Sequence, residues 1–167
     1  YAMELPGKQE SASAVVMDVH NGEVIVLASH PGYDPNVFAG GINPDLWRSL
    51  NADKHTPLIN KCIAGTYAPG STFKMMTAMA GLEAGVISEN HAFSCSGSYS
   101  LGSATFHCWK RGGHGGLRLR DAMKQSCDVY FYQLAVSLGI ERMHSFLAGF
   151  GFGAKTGVDL NGESSGL

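Results

Sequence analysis

The clearest hydrophobic patterning lies near the start of the chain. Ala14-Val15-Val16-Met17-Asp18-Val19 and Glu23-Val24-Ile25-Val26-Leu27-Ala28 are rich in β-branched residues and flank His20-Asn21-Gly22. Asn-Gly is a strong short hairpin signal, so this stretch predicts an antiparallel hairpin that begins a sheet. Residues 1–10 before it are a polar lead-in. Residues 30–68 carry turn chemistry, Pro31-Gly32-Tyr33-Asp34-Pro35-Asn36, and predict loop with short helix. Phe73, Met76, Ala80 and Leu82 then form a helical stripe, giving a helix from about Ser71 to Glu83 behind the breakers Pro69 and Gly70. Residues 88–116 hold Gly, Ser and His with little periodicity. Helical patterning returns over 117–125 and 129–138, interrupted near Ser126, and again from Glu141 to Phe150, closed by Gly151.

Bulk properties bound the answer. A chain of 167 residues suffices for one core or for one lobe of a larger domain. Twelve basic and fourteen acidic residues give a formal charge of −2, and no basic run argues for nucleic acid. No apolar run approaches the roughly 18 residues of a membrane span, and no signal peptide stands out.

Candidate chemistry begins at Ala68-Pro69-Gly70-Ser71-Thr72-Phe73-Lys74. An offset of three on a helix puts a hydroxyl and an amine on one face, about 5–6 Å apart at Cβ. Serine is a weak nucleophile without an adjacent base, and a lysine near a helix N-terminus can serve as one. On its own the tetrapeptide equally fits a serine N-cap. A second piece follows downstream, Ser126-Cys127-Asp128, between the helical stretches.

The order S-x-x-K then S-x-[ND] resembles the penicilloyl serine transferases, which comprise the penicillin-binding proteins and serine β-lactamases. The words APGSTFK, SCDVYFYQLA and FGFGAKTGVDLNGE resemble the transpeptidase domain of class B penicillin-binding proteins of the cell-elongation type, the penicillin-binding protein two group. The resemblance runs from Ser13 to Leu167. It implies an α+β, multi-layer, serine β-lactamase-like fold with an antiparallel sheet between helical layers, of which residues 1–167 are one part. It implies Ser71 as nucleophile, Lys74 as the base that takes its proton, Ser126 as a proton relay toward the leaving amine, and Asp128 as the residue that positions substrate amides and Lys74. Asp128 stands where many relatives have Asn. A carboxylate there favours the charged ammonium, so Lys74 gives up its proton only as substrate closes the site. The backbone N–H of Ser71 is expected to form half of an oxyanion hole.

Lys155-Thr156-Gly157 matches the text of the family's third motif, K-[ST]-G. It follows Ser126 too closely and continues as Val158-Asp159-Leu160-Asn161-Gly162-Glu163, which resembles a separate, noncatalytic stretch of these proteins. The third catalytic motif and an N-terminal membrane anchor are therefore expected outside this sequence.

Four cysteines and seven histidines occur. Cys95, Cys108, His114 and Cys127 offer three thiolates and an imidazole, which suits a closed tetrahedral zinc site, although the spacing is not that of a standard zinc finger. The residues leave a Cys95–Cys108 disulfide or a simply buried Cys127 open as alternatives. The resemblance favours a structural zinc: some elongation-type relatives carry a metal beside the second motif, with ligands matching Cys127 and the His114 of Trp109-Lys110-Arg111-Gly112-Gly113-His114-Gly115. His107 is the reserve ligand, and Cys62 stands apart.

By the same resemblance the parent enzyme is a D,D-transpeptidase of rod-shape maintenance at the periplasmic face of the bacterial inner membrane. Its substrate is the peptidoglycan stem peptide ending in D-Ala-D-Ala, and β-lactams acylate it. Its partners are a membrane glycan polymerase and elongation scaffold proteins. The alternatives are a β-lactamase or β-lactam sensor, and a noncatalytic fragment that only binds.

Overall fold

A computed structural model of the chain describes residues 8–166. Residues 1–7 of the expected lead-in, and Leu167, lie outside the described residues. The chain divides into two compact units. Residues through Tyr67 with those from Lys155 onward form one, and Ala68–Ala154 form the other.

In the first unit the expected hairpin is present as β1 (Ala12–Met17) and β2 (Val24–His30), antiparallel from Ala12 opposite His30 to Val16 opposite Val26. The connection is longer than the two-residue turn that Asn-Gly suggests. Asp18 and Glu23 close it, with the Gly22 N–H donating to the Asp18 carbonyl at 2.8 Å and the Glu23 N–H to Asn21 Oδ1 at 2.9 Å. The pairing shifts register between Val16 and Met17, so the ladder ends before a tight turn can form.

Helix α1 (Pro44–Ala52) starts where Asn43 accepts the Asp45 N–H at 2.8 Å and Pro44 sets the first turn. A single turn, α2 (Lys61–Ala64), is capped by Asn60 and packs on both strands. Cys62 sits between the strands, its thiol 3.1 Å from the Ala28 carbonyl and 3.6 Å from that of Ala14.

The second unit holds the core. A 3-10 turn, Gly70–Phe73, leads into α3 (Lys74–Glu83). The expected helix start at Ser71 is therefore a tighter turn, entered through Gly70 at φ 56°. Residues 88–116, expected to be irregular, instead contain three strands, β3 (Ala92–Cys95), β4 (Ser98–Leu101) and β5 (Ala104–His107), and the start of a fourth, β6 (Gly115–Arg118), whose end lies in the stretch expected to be helical. They pair antiparallel as β3–β6 and β4–β5. Strands of four residues are too short to show alternation, and glycines interrupt them.

Helices α4 (Leu119–Lys124), α5 (Asp128–Leu138) and α6 (Ile140–Ala148) follow. Helix α5 is the core element. Val129, Tyr130, Phe131, Leu134 and Leu138 are buried, and the helix packs against α3, α6 and strands β3 to β5. Gly81 of α3 lets the two helices close: a Cβ there would lie 2.8 Å from Leu134 Cδ1. Helices with antiparallel strand pairs make this an α+β fold, and the burial of α5 fixes what sits at its N-terminus.

Candidate active site and metal centre

The N-terminus of α5 and the start of α3 converge within the second unit. Lys74, in the first turn of α3, reaches the segment that enters α5. Its Nζ donates to the Ser126 carbonyl at 2.8 Å, to Ser126 Oγ at 3.0 Å and to Asp128 Oδ1 at 2.6 Å. These three acceptors match the three hydrogens of an ammonium. Ser126 Oγ in turn donates to Ser71 Oγ at 3.0 Å. The four expected catalytic residues are thus gathered, with one difference from expectation. The serine and lysine share a face, yet the polar path between them runs through Ser126, a residue more than fifty positions away. A chain of two hydroxyls and an amine can pass a proton from Ser71 to Lys74 by rotating both O–H bonds.

Asp128 is largely shielded. Burial raises its carboxyl pKa, but the Lys74 ammonium and the Trp109 N–H, 3.0 Å from Oδ2, outweigh burial and hold it below the usual carboxylate range. The Lys74 ammonium also lies 5.7 Å from the centre of the Phe131 ring, on the next turn of α5.

Next to these four residues lies the cysteine cluster, which includes Cys127 between Ser126 and Asp128. Cys95 ends β3, Cys108 follows β5, His114 precedes β6 and Cys127 precedes α5. All three cysteines are buried and free, so no Cys95–Cys108 disulfide is present. One ligand atom from each of the four residues lies within 4.8 Å of the others, and His114 Nδ1 is 3.6 Å from both Cys95 Sγ and Cys108 Sγ. A tetrahedral zinc with ordinary Zn–S and Zn–N bonds requires a sulfur-to-nitrogen edge of about 3.6 Å. The residues therefore fit the metal, with Nδ1 as the imidazole donor.

Glycines make this approach possible. Gly97 and Gly113 both have positive φ, and a Cβ on Gly97 would lie 2.0 Å from the Arg111 carbonyl oxygen. His107, the reserve ligand, is outside the cluster. Burial raises the Cys108 thiol pKa, but N–H groups of Lys110, Val129 and Asp128 donating to its sulfur bring it below its ordinary value. Burial pushes the Cys127 thiol up to about 12, aided by the neighbouring thiols. A divalent cation at the centre would reverse that cost and hold the sulfurs as thiolates.

Two features escaped the sequence reading: the backbone conformation of Ser126 and the role of Trp109 beside Asp128. Ser126 has φ 48°, a left-handed conformation that explains the break between α4 and α5. Trp109 holds Asp128 through its backbone N–H, whereas the sequence placed it only in the stretch that carries His114.

Lys155-Thr156-Gly157 lies in irregular chain, not on a strand. Thr156 is engaged locally, its N–H 2.6 Å and its hydroxyl 2.5 Å from Glu163 Oε1. The Thr156 hydroxyl, then its N–H, hold the Glu163 carboxyl below its ordinary pKa. Any stability this contact gives is present above the unfolded-state pKa and is lost as pH falls through the folded one. In Thr156→Val the Glu163 pKa, followed by carbon NMR, is expected to rise toward that of a free glutamate. An unmoved value would mean the loop is not built this way.

The family model described as penicillin binding protein transpeptidase domain matches residues 12–167. The peptidoglycan D,D-transpeptidase MrdA of Acinetobacter baumannii is 41% identical over 173 residues, covering 100% of this chain and 26% of that protein. The chain thus spans about a quarter of the length of this curated relative. Among solved structures, Pseudomonas aeruginosa PBP2 in complex with WCK 5153 aligns with a TM-score of 0.89 at 38% identity, covering 99% of this chain and 38% of the other. The complex between PBP2 and MreC from Helicobacter pylori gives a TM-score of 0.88 at 39% identity, over 98% of this chain and 30% of the other.

Proposed function

The chain belongs to the penicillin binding protein transpeptidase family, and from that premise we propose that it carries the nucleophilic half of a peptidoglycan D,D-transpeptidase active site. Ser71 attacks the carbonyl of the penultimate D-Ala of a stem peptide, and the terminal D-Ala leaves. An amine of a second strand then takes the acyl group. β-Lactams acylate the same hydroxyl. The observation that carries this reading is the unbroken polar path from Ser71 Oγ through Ser126 Oγ to Lys74 Nζ, with both contacts at 3.0 Å.

In this reading Lys74 accepts the Ser71 proton by way of Ser126. Asp128 holds the lysine in place, and Ser126 returns the proton to the leaving amine. Lys74 can act as a base only after releasing a proton that three acceptors now stabilise, so substrate entry must loosen the Asp128 contact. The Ser71 N–H supplies half of the oxyanion hole. The other wall comes from a K-[ST]-G triplet elsewhere in the parent protein, because Thr156 is committed to Glu163. Residues 1–167 are then one part of a single transpeptidase domain.

Cys95, Cys108, His114 and Cys127 hold a structural zinc. With four protein ligands it has no open position for water, and it supplies a fixed point beneath Ser126 and Asp128 rather than chemistry. The parent works at the periplasmic face of the inner membrane in cell elongation, beside a glycan polymerase and scaffold proteins. The complex of a related PBP2 with MreC supports the scaffold partner.

Fluorescent penicillin labelling of the full-length protein tests the reading. A stable adduct mapped to the Ser71 peptide is expected. Rapid turnover of the adduct would instead indicate a β-lactamase, and no labelling would indicate a noncatalytic role.

A further inference from the structure

The strained residue of the site is Ser126, held at φ 48° where L residues are rarely stable. That conformation aims its hydroxyl at both Ser71 and Lys74, so whatever holds the turn sets the relay. The backbone groups around it are accounted for one by one. The Ser126 N–H donates to the Met123 carbonyl at 3.1 Å, and the Cys127 N–H to the Ala122 carbonyl at 3.0 Å. The Ser126 carbonyl accepts from Lys74. The Gln125 carbonyl remains, and it belongs to the peptide whose rotation would let Ser126 relax.

That carbonyl accepts a hydrogen bond from the indole Nε1 of Trp109 at 3.0 Å. The same residue donates its backbone N–H to Asp128 Oδ2. One residue thus bridges both ends of Ser126-Cys127-Asp128, one from its side chain and one from its backbone. Trp109 is itself pinned. Buried Cys108 precedes it, and its ring meets the His114 ring at 5.2 Å in a T-shaped contact. Trp109 is nevertheless 64% exposed, so apolar burial does not explain a tryptophan here. The hydrogen-bonded N–H does.

We propose that Trp109 is a positioning residue for acylation, whose indole N–H locks the Gln125–Ser126 peptide in the left-handed turn that presents Ser126 Oγ to Ser71 and Lys74. The inference rests on the reading of Ser71 as the nucleophile. Loss of the indole N–H leaves that peptide held only by its own N–H to the Met123 carbonyl, and the hydroxyl relay then exists only part of the time. The maximal acylation rate falls while prior binding of the β-lactam does not.

The test follows fluorescent penicillin acylation of the full-length protein over a range of concentrations, which separates the first-order acylation rate from the pre-binding constant. Trp109→Phe keeps an aromatic ring and loses the donor. The expected result is a roughly tenfold lower acylation rate, the size expected for one lost hydrogen bond, with the binding constant within about twofold of wild type. Should Trp109→Phe fold poorly, benzothienylalanine at position 109 replaces the N–H by sulfur in the same shape. An acylation rate within twofold of wild type overturns the proposal. So does a loss confined to the binding constant, which would make Trp109 a ligand contact. If the wild-type protein itself does not label, the Ser71 reading falls and takes this inference with it. Labelling of wild type with no effect of the substitution removes this inference alone.

Discussion

Lys74→Met is expected to lower the rate of Ser71 acylation by a fluorescent penicillin by about a thousandfold or more, as loss of the base does in other serine enzymes. The methionine stem fills the same space, so the change is mainly chemical. It removes the atom that joins Ser126 Oγ, the Ser126 carbonyl and Asp128 Oδ1. The Ser71–Ser126 hydrogen bond can persist, but its far end has no group that binds a proton. Asp128 also loses its main partner in a shielded place, so the folded fraction must be checked by circular dichroism before rates are compared. Lys74→Arg separates two roles. A guanidinium keeps the charge for Ser126 and Asp128 but cannot serve as a base near neutral pH. If the arginine variant acylates within tenfold of wild type, Lys74 only organises the site and the proton goes elsewhere. Equal loss in both variants assigns it the base.

The sequence carried the nucleophile turn and the first hairpin because each rests on a local rule, and the S-C-D segment because its words resemble a known family. S-x-x-K is an offset of three across one helical turn, and the hairpin is two runs rich in β-branched residues around Asn-Gly. What it could not carry was long-range. Nothing in Ser71 to Lys74 says that the lysine's hydrogens are taken up by Ser126 and Asp128, because those partners arrive through the packing of α5 on α3 at Gly81. The four short strands between residues 92 and 118 were invisible for a related reason. Their register comes from glycines that let backbones touch: a Cβ on Gly113 would lie 2.3 Å from the Cys95 carbonyl oxygen. Close approach of that kind leaves no periodic trace. The cysteine cluster was legible as chemistry, three sulfurs and an imidazole, although its spacing fits no common motif. Trp109 offered no sign of its own, since its bonds go to a carbonyl and a carboxylate that only the fold brings near.

That cluster makes the second large effect a matter of metal. Purified without chelator, the protein is expected to contain about one equivalent of zinc; less than about half an equivalent would sink the assignment. Stripping it should lower the melting temperature by on the order of 10 °C or more, because structural zinc sites contribute several kcal/mol to folding and each kcal/mol moves a domain of this size by several degrees. The cost concentrates where the ligands lie. Cys95, Cys108 and Cys127 are buried in the same cluster as Tyr130 and Leu134, so the sulfurs cannot turn to water without opening the core. Without a cation, burial favours the protonated Cys127 thiol, a poorer ligand than the thiolate. Ser126 and Asp128 flank Cys127, so penicillin labelling should fall with the melting temperature and return when zinc is added back. Oxidation of the stripped protein would complicate the return by joining neighbouring thiols, which a reductant in the buffer prevents. Full metal loss with unchanged melting and labelling would leave the cluster as ordinary packing, and the turn at Ser126 would then depend on Trp109 and Lys74 alone.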